Sequence, residues 1–94
     1  MSIFHVLLSE QIPHDMDPEI RADHRDRHRT YLRELREAGV LLHSWRAVGT
    51  RDDLAVFRVA DSAELHAVLL AAPLFDFLRM EITALVEHPD PERG

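Results

Sequence analysis

The alternation of apolar and polar residues predicts that the chain opens with a strand followed by a long helix. Residues 3–8 are apolar except for His5, which is typical of a strand covered on both faces. Asp17 and Pro18 suit the N-cap and first turn of a helix. Apolar side chains then recur at steps of three and four residues until Gly39, a residue type that commonly ends helices.

The rest of the chain predicts three more strands and a second helix. The segments rich in strand-forming or alternating residues are 40–48, 54–59 and 79–87. Residues 49–53 form a turn between the first two of these, which therefore pair as a hairpin. Asp61 and Glu64 make a capping box for a helix that ends before Pro73. The order β-α-β-β-α-β predicts an α+β, ferredoxin-like domain with a four-stranded antiparallel sheet and two helices.

Length and composition fit one globular domain spanning residues 1–94, with a loose charged tail at 90–94. Because 94 residues bury only a limited core, we expect the protein to form a homo-oligomer. No apolar run approaches the roughly 20 residues that span a bilayer, so no membrane association is expected. The first residues lack the features of a secretory signal, and the expected location is therefore cytoplasmic.

Charge and residue usage narrow the possible chemistry. A net charge of −6, with arginines interleaved among acids, opposes binding to nucleic acid. The chain has no cysteine, which excludes disulfides and thiolate nucleophiles. All 11 basic residues are arginine, so no lysine can form a Schiff base. Histidines and carboxylates remain as the groups for proton transfer.

Two histidines lie on the apolar face of the first predicted helix. His24 and His28 are four residues apart and therefore project from the same side. His28 is either a general acid or base, since the pKa of histidine lies near neutrality, or a hydrogen-bonding residue that lines a pocket. The same two readings apply to His24. We expect no metal site, because the pair has no third ligand at a recognisable spacing.

Four further residues are candidates for a binding site. Arg46 lies between apolar residues of a strand and must find an anion, either an internal carboxylate or that of a substrate. His5 is either a buried core histidine or a donor to a bound oxyanion. Trp45 is expected to pack, as large aromatic residues usually do, and could floor a pocket. Phe75 is expected to serve as a lid or interface plug, with a core position as the alternative.

Several short stretches together resemble the muconolactone Δ-isomerase family. They are Phe4-His5-Val6, Asp15-Met16-Asp17-Pro18, Trp45-Arg46 with Gly49, Val56-Phe57, Leu65-His66, Pro73-Leu74-Phe75 and His88-Pro89. The resemblance implies a dimeric α+β barrel, in which two ferredoxin-like units pack sheet to sheet, and a decamer as in known isomerases. It also implies the shift of a double bond within an unsaturated lactone, from muconolactone to 3-oxoadipate enol-lactone, in aromatic catabolism.

Such a reaction needs a base, stabilisation of a dienolate and an acid, but neither a metal nor an organic cofactor. Family members typically carry a Glu-Lys pair on the first helix, where this chain has His28-Arg29, and a Tyr-Ala-Asn stretch where it has residues 51–53. Our predicted catalytic residues are therefore His28, His24 and Arg46. The predicted substrate-binding residues are His5, Arg29, Trp45 and Phe75.

The altered helix pair leaves two alternatives to the isomerase hypothesis. The first is a diverged paralogue that acts as a cofactor-free cyclase or oxygenase in a biosynthetic pathway. The second is a ligand-binding barrel without catalytic activity. In each case the expected partner is a small carboxylate or lactone.

Overall fold

The computed structural model describes residues 1–87, which form four strands, two helices and a short 3₁₀ turn. In chain order they are β1 (Ser2–Glu10), α1 (Pro18–Glu37), β2 (Leu41–Arg46), β3 (Asp52–Val59), α2 (Ser62–Leu70), the 3₁₀ turn (Phe75–Phe77) and β4 (Leu78–Leu85). The strands form one antiparallel sheet in the order β2-β3-β1-β4. The predicted ferredoxin-like architecture is confirmed. His88-Pro89 and the predicted loose tail at 90–94 lie outside the described residues.

Local capping interactions set the ends of the helices. The Asp17 carboxylate accepts a hydrogen bond from the Glu19 backbone N–H at 2.8 Å, and α1 starts there. Gly39 follows α1 with φ +76°, a left-handed conformation that glycine adopts without steric penalty. The Asp61 carboxylate accepts from the Glu64 N–H at 2.9 Å, which confirms the predicted N-cap of α2.

The turn between β2 and β3 lies two residues earlier than predicted, at 47–51 instead of 49–53. The Asp52 N–H donates to the Thr50 hydroxyl and the Ala47 N–H donates to the Asp52 carbonyl, each at 3.0 Å. These bonds start β3 at Asp52, whereas the sequence placed both aspartates in the turn. Asp53 therefore belongs to the sheet, where it lies opposite Arg46 of β2.

The two faces of the sheet differ in how the chain covers them. Both helices pack on one face, over a core that consists of Phe4, Val6, Leu8, Leu41, Ala55, Phe57, Val59, Leu65 and Leu69. On the other face Ile3, His5 and Leu7 of β1 are only half-buried. The prediction that β1 is covered on both faces is therefore wrong for a single chain.

Helix α1 packs on the sheet only through part of its length. None of its residues is fully buried, although Leu32 and Leu35 contact the core. His28 is half-buried one turn before Leu32. The helix thus leaves a space above the end of the sheet where β1 and β2 finish and β3 begins.

Candidate active site

A cavity of about 400 Å³ lies between α1 and this end of the sheet. Its lining residues are Glu10, Arg25, His28, Arg29, Leu32, Arg46, Arg51, Asp53 and Leu74. A smaller recess shares much of this lining and adds mainly apolar side chains, namely Leu8, Leu41, Ser44, Ala55 and Leu78. The volume lies within the range of about 300–1,000 Å³ that is usual for small-molecule sites.

Helical spacing brings the α1 residues to the cavity. Arg25, His28, Arg29 and Leu32 are separated by three, one and three positions, so they share one face of the helix. That face overlies the sheet, because Leu32 packs against the core. The helix therefore presents one imidazole and two guanidinium groups to the cavity.

Sheet register brings the remaining polar groups to the same place. Asp53 of β3 lies opposite both Leu8 of β1 and Arg46 of β2. Directly opposed residues share a face in an antiparallel sheet, and Leu8 belongs to the core face. Asp53 and Arg46 consequently point to the side that α1 covers, and Glu10 lines the same cavity from the end of β1.

His28 is the group best placed to transfer a proton. Its Nδ1 atom is buried and makes no hydrogen bond with the part of the chain that the structure describes. Burial lowers the pKa of His28 below its usual value of 6.5, and the negative charges of Asp53 and Glu10 offset only part of that effect. The imidazole is thus neutral at neutral pH and has a lone pair with which to accept a proton.

Ion pairs hold both carboxylates of the cavity. Arg25 donates to Glu10, and Arg46 Nε donates to Asp53 Oδ1 at 2.6 Å. The anion that pairs with Arg46 is therefore an internal carboxylate, which was one of the two alternatives predicted for this residue. The hydrogen bond and charge of Asp53 raise the pKa of Arg46, which stays protonated. Four guanidinium groups face two carboxylates, so the cavity carries excess positive charge in a chain of net charge −6.

Sequence reasoning missed several residues of this cavity. Glu10, Asp53, Arg51 and Arg25 were not predicted as site residues. Arg25 pairs with Glu10 across the gap between α1 and β1. The signal available in the sequence was the spacing of Arg25, three residues before His28 and so on the same side of the helix.

Two predicted residues on the helix side of the sheet do not line the cavity. The ring of His24 packs edge-on against Phe77, with 5.7 Å between ring centroids. Phe75 is half-buried in the 3₁₀ turn. Neither belongs to the lining of the cavity or its recess, so the structure does not bring them together with His28.

Two other predicted residues lie on the opposite face of the sheet. His5 and Trp45 are in register with Val56 and Leu54 of β3, whose neighbours in that strand face the core. Trp45 stacks on His43 with 5.1 Å between ring centroids and 11° between ring planes. Of the seven predicted site residues, the cavity therefore unites His28, Arg29 and Arg46.

The described part of the chain shows no metal-binding arrangement. Residues 1–87 contain no group of three or more histidine or acidic side chains placed to hold an ion. Among the helices of this same region, none has the length and apolar character needed to cross a membrane.

Comparisons with known proteins agree with the fold. The family model described as muconolactone delta-isomerase matches residues 2–91. Muconolactone Delta-isomerase 1 of Acinetobacter lwoffii is 36% identical over 91 residues, which cover 97% of this chain and 95% of that protein. The enzyme of the same name from Rhodococcus opacus is 35% identical, covering 94% of this chain and 95% of its own length.

A solved structure leads to the same result. The crystal structure of muconolactone isomerase superimposes with a TM-score of 0.88 at 31% sequence identity, covering 93% of this chain and 91% of that one. A family model that spans almost the whole sequence, together with relatives of about the same length, establishes the relationship. The chain belongs to the muconolactone Δ-isomerase family.

Proposed function

We propose that the protein is an isomerase that shifts a carbon–carbon double bond in muconolactone, giving 3-oxoadipate enol-lactone in aromatic catabolism. Membership of the family supports this reaction. The observation that carries it is the neutral, half-buried His28 in a cavity rich in arginine. A base with these properties can take a weakly acidic proton, and the positive surroundings favour the anion that results.

In the proposed mechanism His28 accepts a proton from the carbon next to the ring carbonyl. The electron pair of the broken C–H bond delocalises into a dienolate, whose negative charge the guanidinium groups of Arg29 and Arg46 stabilise. The imidazolium of His28 then returns the proton to a different carbon of the dienolate. The substrate and product are isomers, so the cycle consumes no redox equivalent and regenerates neutral His28.

The reaction can be followed directly with muconolactone as substrate. We expect turnover by the purified protein in the presence of a chelator, with loss of the substrate signals in proton NMR. A folded sample that shows no turnover at any pH between 5.5 and 8.5 would remove muconolactone as the substrate.

A second candidate function rests on the helix pair His28-Arg29, which replaces the usual Glu-Lys pair. A histidine base of lowered pKa suits carbon acids other than this lactone equally well. The candidate is a paralogue that cyclises or oxygenates a biosynthetic substrate without a cofactor. Location of the gene among biosynthetic genes, combined with failure of the muconolactone assay, would favour this function.

We also propose that two copies pair through the sheet face that the helices leave uncovered. On this face Trp45 of β2 is 53% exposed and Leu85 of β4 is 44% exposed, at the two edges of the sheet, with the half-buried residues of β1 between them. Apolar residues spread across a sheet face that the helices leave uncovered are typical of an association surface. Trp45→Asp should therefore lower the mass found by light scattering, and the wild-type mass will show whether dimers assemble into the implied decamer.

The matched control for this experiment is Leu70→Asp on α2, where the side chain is 54% exposed but lies away from the sheet face. It should leave the mass unchanged. A monomeric wild-type protein, or equal effects of the two variants, would contradict the proposed dimer. The cytoplasmic location expected from the sequence remains a prediction, which cell fractionation can test.

A further inference from the structure

The cavity contains one arginine whose charge no carboxylate of the described chain compensates. Arg25 pairs with Glu10, and Arg46 pairs with Asp53. Arg29 has a carboxylate partner outside the cavity lining, at 3.4 Å. Within residues 1–87, Arg51 has no ion pair and its side chain makes no hydrogen bond. Its guanidinium group is therefore available to an anion from solution.

The backbone on either side of Arg51 is held in place. The Thr50 hydroxyl donates to the Ala47 carbonyl and accepts from the Asp52 N–H, both at 3.0 Å. The Ala47 N–H donates to the Asp52 carbonyl, also at 3.0 Å. Arg51 thus projects from an ordered turn, and its guanidinium group forms no ion pair with the carboxylates of residues 1–87. An arrangement of this kind reduces the entropy that a ligand must overcome on binding.

Arg51 also occupies a position that the other arginines do not share. It is the one arginine, among the described residues, that lines both the main cavity and the apolar recess. His28 lines both spaces too. A flat lactone ring in the recess would therefore have the proton-accepting imidazole and an uncompensated guanidinium group within one contiguous site.

We propose that Arg51 binds the carboxylate arm of the substrate and so selects lactones that bear a free carboxylate over neutral lactones. The planar guanidinium group can donate two parallel hydrogen bonds to a carboxylate. An ester of the same lactone offers no charge and fewer acceptor positions. Arg51 would thus determine which lactones bind in the cavity. This inference about the substrate rests on the proposed function, in which His28 transfers the proton.

The test measures binding separately from turnover. The probe is a saturated γ-lactone with an acetate arm, which has no double bond to move, and its methyl ester serves as the neutral partner. Calorimetry with the wild-type protein should show tighter binding of the acid, by about 10- to 100-fold for a charge-assisted contact. Arg51→Gln should remove this preference, and Arg51→Lys should retain part of it because the charge remains.

Arg36→Gln is the control, since it removes the same charge from an exposed site near the end of α1. It should keep the wild-type preference for the acid. The proposal is overturned if wild type binds acid and ester equally, if Arg51→Gln keeps the preference, or if Arg36→Gln loses it as well. Circular dichroism verifies that each variant is folded.

Kinetics with muconolactone separate this proposal from the proposed function. If Arg51 only anchors the carboxylate, Arg51→Gln raises KM and changes kcat little. Absence of wild-type turnover would refute the isomerase assignment, yet an acid preference lost in Arg51→Gln would still support the anchor. Normal turnover with an unchanged acid preference in Arg51→Gln would refute the anchor and leave the isomerase assignment intact.

Discussion

His28→Gln is the substitution that most directly tests the proposed chemistry. Glutamine keeps a polar side chain of moderate size at this half-buried position but cannot act as a base near neutral pH. General acid–base catalysis contributes about 10²- to 10⁴-fold to a rate. At 1.36 kcal/mol per tenfold, the barrier should rise by about 3–5 kcal/mol. We therefore expect kcat/KM for muconolactone to fall by at least a hundredfold.

The pH dependence of the wild-type protein gives an independent measure of the same group. Burial lowers the pKa of His28 from 6.5, so the neutral, proton-accepting form persists below that pH. The kcat/KM profile should therefore fall on the acid side with a midpoint below pH 6.5. Glu10→Gln should move the fall to still lower pH, because it removes a negative charge that raises this pKa.

Linkage predicts a matching effect on stability. The unfolded chain has an ordinary histidine that binds protons near pH 6.5, whereas folded His28 binds them only at lower pH. The contribution of neutral His28 is therefore fully present above pH 6.5 and is lost as the pH falls through the folded pKa. Urea denaturation of wild type and His28→Gln across this interval should show a difference that shrinks towards acid pH.

The control for these measurements is His66→Gln, which removes an exposed histidine of α2 that does not line the cavity. It should preserve both the rate and the pH profile. Turnover of His28→Gln within tenfold of wild type would refute the role of His28 as proton carrier. An unchanged acid limb in that variant would refute it as well, because another group would then be titrating.

Three further substitutions test the packing that holds the site. Phe57→Ala removes a side chain that is 1% exposed at the centre of the core. The free energy of unfolding, measured by urea denaturation, should fall by about 3–5 kcal/mol, and a fall of less than about 1 kcal/mol would contradict this central position. Tyr31→Phe breaks the 2.6 Å hydrogen bond from the hydroxyl to the Val68 carbonyl and should cost about 0.5–1.5 kcal/mol, whereas no change would show that this tie between the helices is dispensable. Gly39→Ala forces φ +76° on a residue with a Cβ atom and should lower the free energy of unfolding by about 1–2 kcal/mol. No atom lies within 4 Å of that Cβ, so a larger fall would require a cause other than backbone strain.

The sequence predicted well the helix ends that are fixed by interactions between residues close together in the chain. Asp17 caps α1 through backbone groups two and three residues away, and Gly39 ends it within one turn. Asp61 does the same for α2. The start of β3 was misplaced because aspartate is typical of turns, whereas pairing with the distant Leu8 and Ser9 of β1 places both Asp52 and Asp53 in the sheet.

The sequence predicted three residues of the candidate site, namely His28 and Arg29 of α1 and Arg46 of β2. His28 and Arg29 reached the cavity because both lie on α1, whose periodicity is visible in the sequence. His5 and Trp45 were placed with them because the sequence of a strand does not reveal which of its two faces a helix will cover. Their actual face becomes visible only from the register with β3.

The electrostatics of the cavity depend on pairs that join different elements. Arg25 of α1 compensates Glu10 of β1, and Arg46 of β2 compensates Asp53 of β3. With both carboxylates held in this way, burial decides the protonation state of His28, which stays neutral. The same pairing leaves the charge of Arg51 uncompensated. One set of contacts thus accounts for both a base that can accept a proton and a cation that can attract an acidic substrate, and neither property belongs to a single residue or a single motif.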